Sequence, residues 1–370
     1  MPYIEELNAG MPALDESAGT TSWFEFAPPK IFYAPIAFYS LYLSLRHLGV
    51  TLPTCTNPAL PFSGLVGESK FEVLNAFDKE ASDYLPTYAQ VRKSNDDTNN
   101  QETMSKALQQ KNANKLEYPF VVKPDIGMRG AGVRVVKSDE ELENYIKAFP
   151  GGADILLQAL VNEEGEAGVF YIRHPGDEVG SITSLTLKYF PKVIGDGSKT
   201  LRELIMADSR ASQIAHVYFE RHEDYLDEVV EEGRTIRLAF AGSHSRGTIF
   251  RNGNDHITPE MVKTFDKLAK QMGEFYIGRF DIRFSDFDAL KDGKGFQIIE
   301  VNGAGGEPTH IWDSRTKLFE AYSALMQQYK SLYQIGSFNR SRGFKPDSPI
   351  SLFKAWMREK RLTERYPFNH

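Results

Sequence analysis

Residues 278–306 read GRFDIRFSDFDALKDGKGFQIIEVNGAGG. Two runs of strand-forming residues, 276–284 and 295–302, flank a polar segment with an Asp-Gly pair at 292–293, and this pattern predicts a β-hairpin. Side chains alternate between the two faces of a strand. The first strand therefore presents charged residues on one face and apolar residues on the other: Arg279, Asp281 and Arg283 against Phe280, Ile282 and Phe284.

The second strand is predicted to place Glu300 and Asn302 on one face, while Ile299 and Val301 point away. Burying carboxylates requires cations or hydrogen bonds in return. Two carboxylates and an amide oxygen suit a hard divalent ion, Mg²⁺, which keeps several waters and bridges phosphates. The residues Asp281, Glu300 and Asn302 are therefore predicted metal ligands. The alternative is a hydrated face whose charges pair with one another.

A second informative stretch, residues 118–136, reads YPFVVKPDIGMRGAGVRVV. An apolar strand ends at Lys123, a loop carries Gly127, Gly130 and Gly132, and another strand follows. Glycines let backbone N–H groups approach an anion closely, and the lysine supplies positive charge. Rossmann and P-loop motifs run from the loop into a helix, so this order favours a flexible hairpin that closes over nucleotide phosphates. A plain glycine hairpin is the alternative.

Two other segments extend the nucleotide prediction. A helix is expected to begin near Ser69, and Lys70 in its first turn is disfavoured by the helix dipole, which hints at another partner such as phosphate. The apolar run 154–160 predicts a strand that leaves one lobe for the next, so that its backbone can bind adenine as a hinge. Glu166 is then expected to accept hydrogen bonds from ribose hydroxyls.

Composition restricts the class of protein. The chain has 370 residues, of which 41% are hydrophobic and 25% are charged, and this indicates a globular protein of two or three lobes. The net charge of -7 argues against nucleic-acid binding, which needs a basic surface. A single cysteine, Cys55, excludes an internal disulfide framework and a multi-cysteine zinc site. The start MPYIEELNAG lacks a signal-peptide pattern, so a cytoplasmic location is the expectation.

Residues 31–45 form an uncharged stretch that is rich in Phe, Tyr and Leu. The stretch is too short to span a bilayer, and Pro35 interrupts any helix near its start. One interpretation is an aromatic segment in peripheral contact with a membrane surface. The other is a helix packed on the body of the protein, or a subunit contact such as that of a homodimer. The flanks lack a basic cluster that would hold anionic lipid, which favours the packed helix.

In combination, these parts resemble the ATP-grasp superfamily. A lysine at a helix start, VVKP with a glycine loop, an apolar hinge strand, and then RFD and EVN on successive strands follow the order of that family. The likeness is closer to carboxylate–amine ligases such as D-alanine–D-alanine ligases, and GDGSKTLRELI at 195–205 is also similar to cyanophycin synthetase. The resemblance implies an α+β, ATP-grasp fold in which two α+β lobes grip ATP.

The resemblance also sets the expected domain boundaries. Its members usually carry a Rossmann-like N-terminal domain, but the residues before Lys70 show no βαβ pattern, so that part is expected to be a reduced, non-Rossmann segment. The predicted divisions are an N-terminal segment, a catalytic domain with its hinge near 158–161, and a C-terminal tail: 1–65, 66–335 and 336–370.

Three groups of site residues are implied by the resemblance. ATP binding is expected at two phosphate lysines, the glycine loop, the adenine hinge and a ribose carboxylate: Lys70 and Lys123; Gly127, Arg129, Gly130 and Gly132; Gln158, Leu160 and Val161; and Glu166. Two Mg²⁺ ions, with Mn²⁺ as the alternative, are expected at Asp281, Glu300 and Asn302. Catalytic roles, in oxyanion stabilisation or γ-phosphate contact, are expected for Arg279, the Gly306 N–H and Lys188.

The implied activity is ATP-dependent joining of a carboxylate to an amine through an acyl phosphate, with an amino acid or small carboxylate and an amine as substrates. Dipeptide ligases place a serine just after a histidine that matches His310, whereas this chain has Ile311, which argues against D-alanine. The alternatives are an ATP-grasp kinase that phosphorylates a hydroxyl and a membrane-associated nucleotide-binding module.

Overall fold

The structure is a computed structural model in which the described residues are 7–15, 17, 19–95, 100–127, 130–240, 242–243 and 246–367. Arg129, one of the residues predicted to bind ATP, lies outside these ranges. Helices alternate with strands whose pairings are all antiparallel. The predicted α+β class is therefore confirmed.

The helices range from a single turn to 24 residues. Hydroxyl caps mark the starts of several, since Ser69, Thr200 and Thr258 accept hydrogen bonds from the first-turn N–H groups of the helices that follow them. In chain order the helices are α1 Pro29–Phe32, α2 Ala34–Arg46, α3 Lys70–Asn75, α4 Asn100–Ala113, α5 Asp139–Ala148, α6 Leu201–Ala207, α7 Ala215–Arg221, α8 Pro259–Gln271, α9 Phe287–Lys291, α10 Leu318–Ser341 and α11 Pro349–Thr363.

The strands form three sheets, with orders β1-β4-β2-β3, β11-β10-β5-β6-β9 and β7-β8. Several of them are short, and the three longest in the central sheet, β5, β6 and β10, have eight, nine and eight residues. In chain order the strands are β1 Tyr88–Arg92, β2 Phe120–Pro124, β3 Arg134–Val136, β4 Asp154–Ala159, β5 Gly165–Ile172, β6 Ser181–Tyr189, β7 Lys192–Ile194, β8 Thr235–Arg237, β9 Ile249–Asn252, β10 Ile277–Phe284 and β11 Phe296–Asn302.

The first lobe is the four-stranded sheet with α4 and α5 packed on one face. Leu142, Tyr145 and Ile146 of α5 meet Phe120 and Leu157 of the sheet in one buried cluster. Apolar residues at this spacing share one face of a helix, which is why α5 lies flat on the strands. The glycine-rich segment joins β2 to β3 at the edge of this sheet.

The second lobe is the five-stranded sheet, covered by α8. Phe280, Ile282 and Phe284 of β10 are fully buried in its core, where Met261 and Phe265 of α8 meet them. Their burial confirms the alternation predicted for this strand, because every second residue faces the helix layer. The chain passes from the end of β4 directly to β5, so one short connection joins the two lobes.

Strands β10 and β11 pair antiparallel, as predicted, with Asp281 opposite Glu300. The connection is longer than a tight hairpin turn, because α9 lies between the strands. The pairing shifts register after Asp281, where Ile282 is opposite Ile298 and a β-bulge forms. The predicted direction of Ile299 is therefore wrong: the bulge turns it into the cavity between the lobes, while Val301 joins the core.

Two strand-forming runs on either side of AGSHSRG at 241–247 predict a hairpin over residues 235–250, and that hairpin does not form. Strand β8 pairs with β7 in the small sheet, whereas β9 pairs with β6 at the edge of the central sheet. The turn residues between them indicate a change of direction, but the strand partners lie elsewhere in the chain.

The N-terminal segment packs on the second lobe, and its described residues 7–65 hold no strand. Phe32 and Ile36 join Trp312 in a buried cluster, so one side of the aromatic stretch is the packed helix that the sequence favours. The opposite side stays exposed, with Phe38 at 74% of its free surface. Membrane contact, a homodimer and a cytoplasmic location stay predictions. No helix among the described residues has the length and apolarity to cross a bilayer.

Residues 342–367 pack against the body of the protein. Helix α10 runs to Ser341, across the predicted boundary at residue 335. Beyond it, Glu359 of α11 accepts a hydrogen bond from the Gly67 N–H at 2.9 Å. Tyr366 is buried in the core of the first lobe. The chain therefore returns at its end to the lobe that carries the glycine loop.

A buried ion pair fastens the N-terminal segment to the helices near residue 210. The Arg210 guanidinium donates to both carboxylate oxygens of Glu25, at 2.5 and 2.9 Å. Both side chains are almost fully buried, and burial raises the pKa of Glu25 in spite of this partner. Removing one member of such a pair leaves the other charge without compensation in the interior.

We expect Arg210→Met to lower the free energy of unfolding by about 3–5 kcal/mol, the usual cost of breaking a buried pair. The matched control is Arg92→Met, which removes the exposed Arg92–Asp154 pair (2.8 Å) and should cost less than about 1 kcal/mol. Urea unfolding of the full chain measures both. Equal midpoints for the two variants would contradict a structural role for the Glu25 contact.

Candidate active site

A cavity of about 810 Å³ lies between the two lobes. Its walls come from β2, the glycine loop and the β4–β5 connection on one side, and from β5, β6, β10 and β11 on the other. Most of the predicted site residues line this one space: Lys70, Lys123, Gly127, Gly130, Gln158, Leu160, Val161, Glu166, Lys188, Arg279, Asp281, Glu300, Asn302 and Gly306.

Asp281 is the centre of the polar network on β10. Arg279 donates to both of its carboxylate oxygens, at 2.9 and 3.0 Å, and Lys188 of β6 donates at 2.9 Å. Asn302 of β11 adds a fourth donor at 3.1 Å. Burial alone would raise the pKa of Asp281, but Arg279 and Lys188 lower it to about 2. The group is therefore a permanent anion at neutral pH.

The oxygen atoms of Asp281 and its neighbours suit a hard divalent cation. Glu300 is paired opposite Asp281, and its side chain keeps a third of its surface exposed (34%). Asn302 contributes an amide, and turning that amide by half a rotation would present its oxygen. Within the described residues, no group of three or more His, Cys, Asp or Glu side chains is arranged to hold a metal. Two carboxylates and one amide suit Mg²⁺, which takes its remaining ligands from water and phosphate.

Two lysines face these oxygens. The Nζ of Lys123 donates to the Ile299 carbonyl at 3.1 Å, across the gap between the lobes. The Nζ of Lys70 donates to the Gly127 carbonyl at 2.7 Å and lies 3.5 Å from Glu300. Burial lowers the pKa of Lys123 to about 8, although Glu300 acts in the opposite direction. A second anion at this position would restore its full charge.

The glycine loop requires glycine at Gly132. Its φ of +70° is one that side chains rarely adopt, and a Cβ there would lie 2.7 Å from the Pro124 ring. Tyr145 donates to the Gly132 carbonyl at 2.8 Å, and Tyr366 donates to the Ile126 carbonyl at 2.5 Å. Both ends of the loop are therefore held, while Gly132 itself lies at its base and outside the cavity lining.

The predicted hinge lies at the end of β4. Gln158 donates to the Ile299 carbonyl at 3.4 Å, and Arg283 donates to the Val161 carbonyl at 3.1 Å. Glu166, the predicted ribose ligand, is 3.2 Å from Lys188 and 3.4 Å from Arg283. Its carboxylate faces the cavity, but it is already surrounded by two cations.

The oxyanion role predicted for the Gly306 N–H is not supported. That N–H donates to the Gly303 carbonyl at 2.9 Å, since the segment closes a tight turn. Arg279 remains as the cation at this end of the site, and its Nη1 also donates to the Glu307 carbonyl at 3.2 Å.

Sequence reasoning missed several residues of the site. Glu68 accepts a hydrogen bond from the Gly303 N–H at 3.1 Å, and burial raises its pKa to about 8. The sequence feature that could have indicated Glu68 is its position two residues before Lys70. Arg283 was placed on the polar face of β10 but given no role, and Glu307 had no signal beyond its position after the glycines.

Comparisons with known proteins agree with part of this picture. Residues 78–154 match the family model for the carbamoyl-phosphate synthase L chain, ATP binding domain. These residues hold β1, β2, β3, α4 and α5 of the first lobe, including Lys123 and the glycine loop, and the match ends at the start of β4. The match agrees with the ATP-binding role predicted for this part of the chain. No curated protein shows a significant sequence match to the chain.

Several solved structures are similar at low identity. They include VanG D-Ala:D-Ser ligase from Enterococcus faecalis (13% identity, TM-score 0.41, 75% of this chain and 64% of that chain). The ADP complex of N5-carboxyaminoimidazole ribonucleotide synthetase is 16% identical, with a TM-score of 0.39, and the match covers 73% of this chain and 54% of that chain. A bifunctional glutathione synthetase from Pasteurella multocida is 15% identical, with a TM-score of 0.36, and the match covers 70% of this chain and 36% of that chain. The chain thus spans less than two thirds of each of them, and no residue role is transferred from these loose likenesses.

Lys123 should make polyphosphate binding depend on pH. With a pKa of about 8 in the free protein, Lys123 loses its charge as the pH rises through 8, and a bound phosphate would raise that pKa. About a quarter of Lys123 is already protonated in the free protein at pH 8.5, so we expect ADP binding to take up at most about three quarters of a proton at that pH and to weaken as the pH rises above about 8. Terminal phosphates, with a pKa of about 6, are already ionised there.

Titration calorimetry in buffers of different ionisation enthalpy measures the proton uptake. The control is Lys123→Met, in which the uptake at high pH should disappear. Equal uptake in both proteins would assign the proton to another group and contradict the expectation.

Proposed function

We propose that this protein is an ATP-dependent ligase that joins a carboxylate to an amine through an acyl phosphate. One observation carries the proposal: Lys70 of α3 and Lys123 of β2 face Asp281, Glu300 and Asn302 of the paired strands inside one cavity. Cations on one side and oxygen ligands on the other are what a magnesium-bound triphosphate needs. The family match over the first lobe supports the same nucleotide.

The nucleotide would lie along the β4–β5 connection. Val121, Leu160 and Phe240 supply apolar walls for a flat base, and the backbone near Val161 supplies its polar edge, as expected for small-ligand sites. The phosphates then extend toward Lys123 and the glycine loop.

Asp281, Glu300 and Asn302 would hold two Mg²⁺ ions, with Mn²⁺ as the alternative. Bound there, the metal neutralises charge on the phosphate oxygens. Lys70 and Lys123 would add positive charge from the opposite wall, and Lys188, 2.9 Å from Asp281, would contact the γ-phosphate.

In the first step, a carboxylate oxygen of the substrate attacks the γ-phosphorus. The bond from that phosphorus to the β–γ bridging oxygen breaks, so the products are an acyl phosphate and ADP. This step needs positioning and charge neutralisation more than proton transfer. The residues that supply both are the lysines that line the cavity.

In the second step, the substrate ammonium first loses a proton to water, and the neutral amine nitrogen then attacks the acyl carbon, which forms the C–N bond and a tetrahedral oxyanion. The oxyanion collapses, the carbon–oxygen bond to phosphate breaks, inorganic phosphate leaves, and the nitrogen loses a proton to phosphate or water. Arg279 is the cation at this end of the cavity, and losing one such donor typically costs about 10² to 10³ in rate. The glycine loop, closed over the site, would keep water from the acyl phosphate.

The metal residues provide the direct test. We expect Glu300→Gln and Asp281→Asn to lower ATP turnover at least about 100-fold. Mutating a residue that only hydrogen-bonds to a metal ligand already lowers activity by up to about that factor. Glu300→Gln is the cleaner variant, since Asp281 is also buried between Arg279 and Lys188. Phosphate release is measured with pools of amino acids, small carboxylates and amines, and mass spectrometry identifies the product.

The control for the same chemical change is Glu143→Gln on α5, where the Glu143–Lys147 pair is exposed. It should retain wild-type turnover, and thermal unfolding should show that all three variants are folded. Near-normal turnover in both metal variants would exclude the proposed site. A stable phosphorylated product without dependence on an amine would exclude the ligase in favour of a kinase.

A further inference from the structure

The cavity continues past Arg279 into a space that the proposed reaction does not yet use. Its walls are the inner side of α2, the end of β9, the segment before α10 and α10 itself. We call this space the apolar slot and define it by its lining residues: Tyr33, Ile36, Ala37, Phe250, Trp312 and Tyr329.

The slot has a rigid, apolar wall. Ile36, Phe250 and Trp312 are each at most 4% exposed and belong to one buried cluster. The Phe32 ring stands behind this wall, with its centroid 4.9 Å from that of Trp312. Phe32 also contacts the Phe24 and Tyr322 rings, and this buried packing holds the wall in place, as is usual for small-ligand sites that are largely formed before binding.

A carboxylate stands at the mouth of the slot. Tyr33 donates its hydroxyl to Oε2 of Glu307 at 3.0 Å, so the carboxylate lies beside α2. The carbonyl of the same residue accepts from Arg279 at 3.2 Å. Glu307 is therefore adjacent to the cation that the proposed function assigns to the oxyanion, and a group bound to it would be next to the reacting carbon.

We propose that the slot and Glu307 form the amine subsite, and that the amine is a monocation on an alkyl or arylalkyl body. This inference rests on the proposed function. A negative carboxylate attracts an ammonium group and repels a second carboxylate. None of the six residues that define the slot is a lysine or arginine, so the carboxylate of an amino acid would be desolvated there without a cationic partner. An apolar body is matched by the walls.

The charge preference is tested by binding to the full chain saturated with Mg²⁺ and ADP. The probe is 2-phenylethylamine, compared by titration calorimetry with 2-phenylethanol and 3-phenylpropionate, which keep the ring but are neutral and anionic. The amine should bind at least about 10-fold more tightly than either analogue, as for a hydrogen bond between charged groups. Equal binding of the three, or preference for the acid, overturns the proposal and assigns the slot to another substrate.

Two variants test the residues. Glu307→Gln should weaken amine binding about 10- to 100-fold and abolish the preference over the alcohol. Ala37→Trp should fill the slot and prevent amine binding. The control is Phe38→Trp, which enlarges the ring at an exposed position of α2 outside the cavity lining (Phe38 is 74% exposed) and should bind the amine as the wild type does. Unchanged amine binding in Glu307→Gln or Ala37→Trp overturns the proposal.

A separate titration with Mg²⁺ and ADP distinguishes the two levels of inference. Retained ADP binding in Ala37→Trp shows that the protein is folded and that loss of amine binding is local. Failure of the wild type to bind ADP contradicts the proposed function itself, and it leaves the charge preference of the slot to be measured on the nucleotide-free chain.

Discussion

The site depends on the carboxylate of Asp281, which is buried beneath two cations. Moving charges out of water is costly, and the attraction between them compensates only when the geometry is good. Arg279 and Lys188 reach it from its own strand and from β6, at 2.9 Å each. Because removing any one of these charges leaves the others uncompensated, β5, β6 and β10 are held in one arrangement, and the polar face of the sheet must point into the cavity.

A second constraint links the lobes. The bulge in β11 releases the Ile299 carbonyl from the ladder, and that carbonyl accepts from both Lys123 and Gln158 of the first lobe. These contacts join the lobes without a bound nucleotide. Phosphate entering the cavity would compete for Lys123, so nucleotide binding there would be coupled to the contact between the lobes through one side chain.

Local patterns predicted what is local in the structure. The alternation of charge and apolarity along β10 places Asp281 in the cavity and Phe280 in the core, because a strand has only two faces. The direction of Ile299 was predicted wrongly, because a β-bulge depends on how the strand pairs with its neighbour, which the strand's own sequence does not show. The strands at 235–250 were mispaired for a similar reason: their partners, β6 and β7, lie elsewhere in the sequence. The glycines around Gly306 indicate a turn, but they do not show which carbonyl accepts the hydrogen bond from the Gly306 N–H.

The aromatic stretch shows why a one-dimensional pattern left two interpretations open. Helix α2 is apolar around most of its circumference, so periodicity could not say which side is covered. The structure buries Ile36 against α10 and leaves Phe38 exposed. Because Tyr33 donates a hydrogen bond to Glu307, the inner side of α2 contacts a residue that lines the cavity as well as the core. A helix of the predicted non-Rossmann N-terminal segment thus forms the far wall of the cavity, where substitutions on its inner side would change the shape of the slot without contacting Asp281 and its cations.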